Sequence, residues 1–195
     1  MKVTMGSLTW EHLEEFELVQ FAQNGNLAAF DTLAARYRPG ALVLSKQILS
    51  DREAAQDAVQ DSFLAAFKAL PQLSDAEKFA GWFGAIVRHR SRRLAAGVRY
   101  KHLPIDDVII HHSPSIVTEL ERNTDSEIVR IAISSISEDV RPIVELYYLE
   151  EWNVGQIADF LWLPKTTVKW RLHSGRSQLK GTLADRLEES NGTGK

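Results

Sequence analysis

The chain has 195 residues, 44% apolar and 25% charged, with 23 Lys and Arg against 26 Asp and Glu. That length supports one or two small domains, each able to bury a core of its own. The absence of cysteine excludes disulfides and thiolate metal centres, and a net charge of −3 gives the whole molecule no attraction to nucleic acid.

Apolar residues recur at helical spacing along nearly the whole chain. Leu13, Phe16, Val19 and Phe21 predict a first helix that ends at Asn24-Gly25-Asn26. Asn26 is placed to cap a second, with Leu27, Phe30, Leu33, Ala34 and Tyr37 on one face, and Pro39-Gly40 is expected to stop it. A third is expected from Ala41 to Leu49. Ser50 and Glu53 read as a capping box for a fourth, whose core stripe is Ala55, Val59, Phe63, Ala66 and Leu70 and whose end is Pro71. Ser74 and Glu77 read as another capping box, opening a long helix through Phe79, Phe83, Ile86 and Leu94 toward Gly97. On that helix Arg88, Arg92 and Arg99 share the face opposite the Phe79–Phe83–Ile86 stripe, and Arg90 falls on the buried side. Trp82 and Phe83 also lie at core spacing, with base stacking as the alternative use of their rings.

From Tyr100 to Asp125 the period lapses around two prolines and the acidic pair Asp106 and Asp107, as expected of a linker. Helix is expected again from Glu127 to Ile136. Another follows, capped by Ser137 and carrying Ile143, Val144, Leu146, Tyr147 and Leu149. Asn153 and Gln156 then form a capping box for a short helix with Val154, Ile157, Ala158 and Leu161 on one face. A break at Trp162-Leu163-Pro164 leads into a longer helix from about Lys165 past Leu179, with a buried stripe of Val168, Leu172, Gly175 and Leu179. Its outward face carries Thr166, Lys169, Trp170, His173, Ser177 and Lys180, with Arg171 and Arg176 on the flanks. A short helix, a tight turn and a longer basic helix make a helix-turn-helix. The expected fold class is therefore all-α: two small helical domains joined by a flexible linker, the second a helix-turn-helix.

Charge is segregated along the chain. Residues 78–105 hold seven cations and no acid, and residues 160–184 hold five cations and no acid. The other eleven cations share the rest of the chain with all 26 acids. Two acid-free stretches on an acidic body imply two local phosphate-binding surfaces. An enzyme is disfavoured, because His12, His89, His102, His111, His112 and His173 show no metal-ligand spacing and no phosphate-cradling glycine loop or nucleophile elbow is present. No metal and no cofactor are expected. No apolar run reaches membrane-spanning length and the N-terminal stretch is too acidic for a signal peptide, so the expected location is cytoplasmic, without membrane insertion.

Three motifs in order resemble bacterial sigma factors of the extracytoplasmic-function (ECF) group, group 4 of the sigma-70 family. They are DAVQDSFLAAFKAL from Asp57 to Leu70, FAGWFGAIVRH from Phe79 to His89, and the stretch from Tyr148 to Arg171. The resemblance implies a division of labour. Residues 1–100 would be a region 2-like domain that docks on RNA polymerase core and recognises and melts the −10 element. Residues 101–125 would be the linker. Residues 126–195 would be a region 4-like helix-turn-helix domain, with a short tail, reading the −35 element. Asp57, Gln60 and Asp61 would meet the β′ coiled coil. The loop from Pro71 to Lys78 would hold an unstacked base, with Arg88, His89, Arg92, Arg93 and Arg99 at the −10 DNA. Lys165, Thr166, Lys169, Trp170, Arg171, His173 and Arg176 would lie at the −35 duplex. The β flap and an anti-sigma factor or other inhibitor are the further partners implied. The chain departs from the family pattern at Trp162 and Thr166, where glycine is usual, and at Trp170, His89 and Arg93. An unusual −35 sequence, or an off state in which Trp162 or Trp170 docks against the N-terminal half or an inhibitor, is expected from those departures.

Overall fold

A computed structural model describes residues 10–101 and 132–192, with side-chain surroundings for 10–97 and 132–181. Among the described residues the α-helices are α1 Glu15–Gln23, α2 Leu27–Ile48, α3 Arg52–Ala69, α4 Phe79–Lys101, α5 Arg141–Tyr148, α6 Val154–Leu161 and α7 Lys165–Gly192, and no strand occurs. Residues 132–134 are also helical, while the start of the helix expected from Glu127 lies outside the described residues. The linker expectation, with Asp106 and Asp107, and the Arg99 side chain lie outside the described residues.

Two helices expected before and after Pro39 are one. Helix α2 passes through the proline, and the Ala35 carbonyl left without its donor is on an exposed turn where water can satisfy it. The buried face continues across it as Tyr37, Ala41, Leu44 and Ser45. Packing on both sides of the break therefore outweighs one lost hydrogen bond. The expected caps shift by one residue. Asp51, not Ser50, accepts the Ala54 amide at 3.0 Å, and Asp75, not Ser74, accepts the Glu77 amide at 3.1 Å. A carboxylate does the work expected of the serine. Short 3-10 turns at Leu70–Gln72 and Ala76–Lys78 lead into α4. Ser137 does not cap α5. Its carbonyl accepts the amides of Val140 and Arg141, and the helix starts after that turn, with Pro142 in its first turn. The capping box of α6 is as expected, with reciprocal 3.0 Å bonds between Asn153 and Gln156.

A single apolar cluster runs through α1, α2, α3 and α4 and on into α5, α6 and α7. Phe160, which falls outside the predicted apolar face of α6, is its central residue on the C-terminal side and is fully buried. Its ring lies 5.1 Å from Trp152, 5.9 Å from Tyr37 and 6.3 Å from Phe83 between centroids. Glycines let the two halves close. A methyl group at Gly84 would collide with the Phe160 carbonyl, and one at Gly40 with the Trp152 ring. The seam between the halves is thus a built contact, α4 and α2 on one side and α5 and α6 on the other.

The same contact corrects the reading of α4. The predicted stripe of Phe79, Phe83 and Ile86 placed Arg88 opposite the core. In the structure Ala80, Gly84, Val87 and Ser91 are buried as well, so the buried face is rotated toward Arg88. Leu94 and Ile86 are only partly buried, and Arg90 is half-buried at the margin.

Candidate nucleic-acid and polymerase interfaces

Helix α3 packs Ala55, Val59, Ser62 and Ala66 inward, and its opposite face presents Asp57, Gln60 and Asp61 to solvent. Two residues absent from the predicted docking set extend that face by one and two turns. Leu64 and Phe67 are 55% and 42% exposed, and Phe67 meets half-buried Phe30 of α2 edge to face at 5.0 Å. An acidic strip thus lies beside an exposed apolar one on the same helix. Their exposure was legible only as a helical offset from Val59, which the apolar character of both residues obscured.

The exposed ridge of α4 carries His89, Arg92 and Arg93. Arg88 does not share it. Its guanidinium is half-buried at the seam and donates to the Phe160 carbonyl at 3.5 Å. Burial, and next to it the repulsion of Arg92, lowers the Arg88 pKa. Among the described residues no carboxylate is paired with Arg88, so the cation is held there without a counter-charge. It lines a cavity of about 210 Å3 with Asp139, Leu161 and Arg171. Phe83 is fully buried among rings, and Trp82 is half-buried beside Phe79 at 5.8 Å, so core packing claims both. The loop before α4 is tied down by Gln23, whose side-chain amide donates to the carbonyls of Leu70 and Leu73 at 3.1 and 2.7 Å. Lys78 pairs with Asp75 at 3.0 Å, and that hydrogen bond from Lys78 lowers the Asp75 pKa.

Helix α7 buries Val168, Leu172 and Gly175 against α5 and α6; a methyl at Gly175 would strike Val144, which fixes how closely α7 approaches. Gln178 anchors its middle by accepting the Ser137 amide at 2.9 Å and donating to the Ser137 hydroxyl at 3.1 Å. Lys165, Thr166, Lys169, Trp170, His173 and Arg176 are all exposed. Arg171 stands apart from them. It is half-buried, 3.7 Å from the Asp139 carboxylate, and faces the seam cavity. Trp162 takes the left-handed conformation at the end of α6 (φ 58°, ψ 46°). It leans one ring edge on α4, with Nε1 3.2 Å from where a Gly81 Cβ would sit, yet remains 75% exposed.

Residues 33–98 match the Sigma-70 region 2 family. The RNA polymerase sigma-H factor of Pseudomonas aeruginosa is 24% identical over 188 residues, covering 91% of this chain and 97% of its own. The ECF RNA polymerase sigma factor SigW of Bacillus subtilis is 24% identical over 184 residues, covering 86% and 95%. Among solved structures, CnrH in complex with the cytosolic domain of CnrY shares the fold, with a TM-score of 0.56 at 21% identity over 88% of this chain and 97% of CnrH. An all-helical chain that joins a sigma-70 region 2 to a helix-turn-helix is a sigma factor, a subunit that directs RNA polymerase to promoters. The relatives that match most of this chain include sigma factors of the ECF group of the sigma-70 family.

Proposed function

We propose that the chain grips one promoter at two places, the −10 element through α4 and the −35 element through α7, while α3 holds RNA polymerase core. The separation of charge carries this reading: the exposed face of α3 is acidic, whereas the outer faces of α4 and α7 carry cations within acid-free stretches. His89, Arg92 and Arg93 neutralise phosphates around the −10 element, and Arg88 joins them once it leaves the Phe160 carbonyl. Parting of α6 from α4 therefore precedes full −10 engagement. Domain limits of 1–100 and 126–195, with a linker between, fit this division of labour. On the polymerase side, Asp57, Gln60 and Asp61 meet the β′ coiled coil with Leu64 and Phe67 adding apolar contact, and the β flap meets the C-terminal half. An anti-sigma factor or other inhibitor is a further partner; CnrH, which shares the fold, is itself held in a complex with the cytosolic domain of CnrY.

Run-off transcription with core polymerase tests the reading. Arg92→Ala is expected to weaken promoter opening and flatten its salt dependence while leaving core binding intact, and Asp61→Ala to do the reverse. Equal losses in both assays for both variants would indicate misfolding and overturn the assignment. Tight binding to an inverted repeat without core polymerase would instead make the chain an autonomous regulator.

A further inference from the structure

We propose that Trp170 reads bases, and that it selects thymine at one −35 position through the C5 methyl group. This rests on the proposed −35 role of α7. An α-helix advances about 100° per residue, so the residues opposite buried Val168, Leu172 and Gly175 are Thr166, Trp170, His173 and Ser177. All four are exposed, and none is Lys, Arg, Asp or Glu. The cations occupy one flank, where exposed Lys169, Arg176 and Lys180 form a row. The other flank has only Arg171, drawn off toward Asp139.

A helix lying in a major groove points its central ridge at the base edges and its flanks at the phosphates. The arrangement therefore separates a base-reading ridge from a phosphate-binding row. Trp170 stands mid-ridge at 63% exposure. Its indole offers one N–H donor and no acceptor, and the remainder of the ring is apolar. The major-groove edges of the four base pairs display donors, acceptors and a single apolar group, the thymine methyl. The lone N–H can meet an acceptor on any base pair and so discriminates little, whereas the apolar remainder of the ring is matched only at a methyl, where both apolar surfaces leave water. Trp162, though more exposed, sits at the end of α6 beside Gly81 and lies off the ridge.

The test uses the full chain with core polymerase and a promoter library randomised in the −35 region, followed by replacement of each selected thymine by deoxyuridine, which lacks only the methyl. Wild type is expected to lose affinity about fourfold at one position, the worth of one buried methyl. Trp170→Ala is expected to lose that discrimination while keeping its salt slope and its unfolding midpoint; Trp170→Phe, which keeps an apolar ring, retains part of it. Lys169→Ala is expected to behave oppositely, lowering the slope by about one with deoxyuridine discrimination intact. The proposal falls if deoxyuridine is tolerated everywhere by wild type, or if Trp170→Ala still discriminates. In the latter case another residue reads the methyl. A selection that returns no −35 preference at all removes the −35 role itself, and with it this proposal.

Discussion

The seam between α4 and α6 and the outer ridge of α7 obey opposite rules, although α6 and α7 are separated by only a short turn. At the seam, aromatic residues are hidden, glycines bring backbones together, and Arg88 is taken from solvent. On the ridge a tryptophan is left bare, and the exposed cations Lys169, Arg176 and Lys180 flank it within an acid-free stretch. Closure therefore affects the two proposed DNA surfaces unequally. It holds Arg88 back from the −10 side and leaves the −35 side open. The same residue types serve packing in one place and recognition in the other, and only the surroundings separate the two uses.

The largest expected effect breaks the seam. Phe160→Ala removes a fully buried ring and should cost about 3–5 kcal/mol in urea unfolding. Gly84→Leu should come next, by about 1–3 kcal/mol, because its side chain meets backbone rather than a mobile tip. X-ray scattering should show the chain expanded by this substitution, and an unchanged radius of gyration would remove the claim that Gly84 holds the halves closed. Arg88→Ala is expected to leave stability within about 0.5 kcal/mol, since it deletes a desolvated cation without a carboxylate partner, yet to weaken promoter opening. A stability loss as large as that of Gly84→Leu would show that Arg88 serves chiefly to hold α6.

The smallest expected effect is in pH dependence. Burial pushes the Glu15 carboxyl up, and the Tyr37 hydroxyl that donates to it and the nearby Arg36 only partly offset this; Asp159 across the seam adds to the rise. The folded chain therefore keeps that proton to higher pH than the unfolded chain. The associated stability is present below the unfolded value near 4.5 and is lost as pH rises through the folded value. Burial raises Glu145 and Glu150 in the same sense, so they share the trend. Glu15→Gln should flatten the fall in urea midpoint just above pH 4.5; a midpoint profile parallel to wild type would show that Glu15 titrates alike in both states.

Some elements were legible because their cause is local. Asn153 and Gln156 name their own capping box, and Val168, Leu172 and Gly175 keep a three-four spacing that points inward. The caps at Ser50 and Ser74 were misread because a neighbouring aspartate competes for the same amides. Pro39 does not end its helix as expected, because a helix breaker's local penalty is smaller than the packing on either side of it.

The amino-acid order by itself determined where most of the described helices lie, the order of short helix, turn and longer basic helix, and the two acid-free stretches, since periodicity and charge are properties of neighbours along the chain. Only the tertiary structure decided that Phe160 is central, that Gly40 and Gly84 admit the opposite half, and that Arg88 and Arg171 turn inward while Arg92 and Lys169 stay out. Those outcomes depend on which surface a residue meets across space. A glycine or an arginine at a helical position carries no record of what will be packed against it.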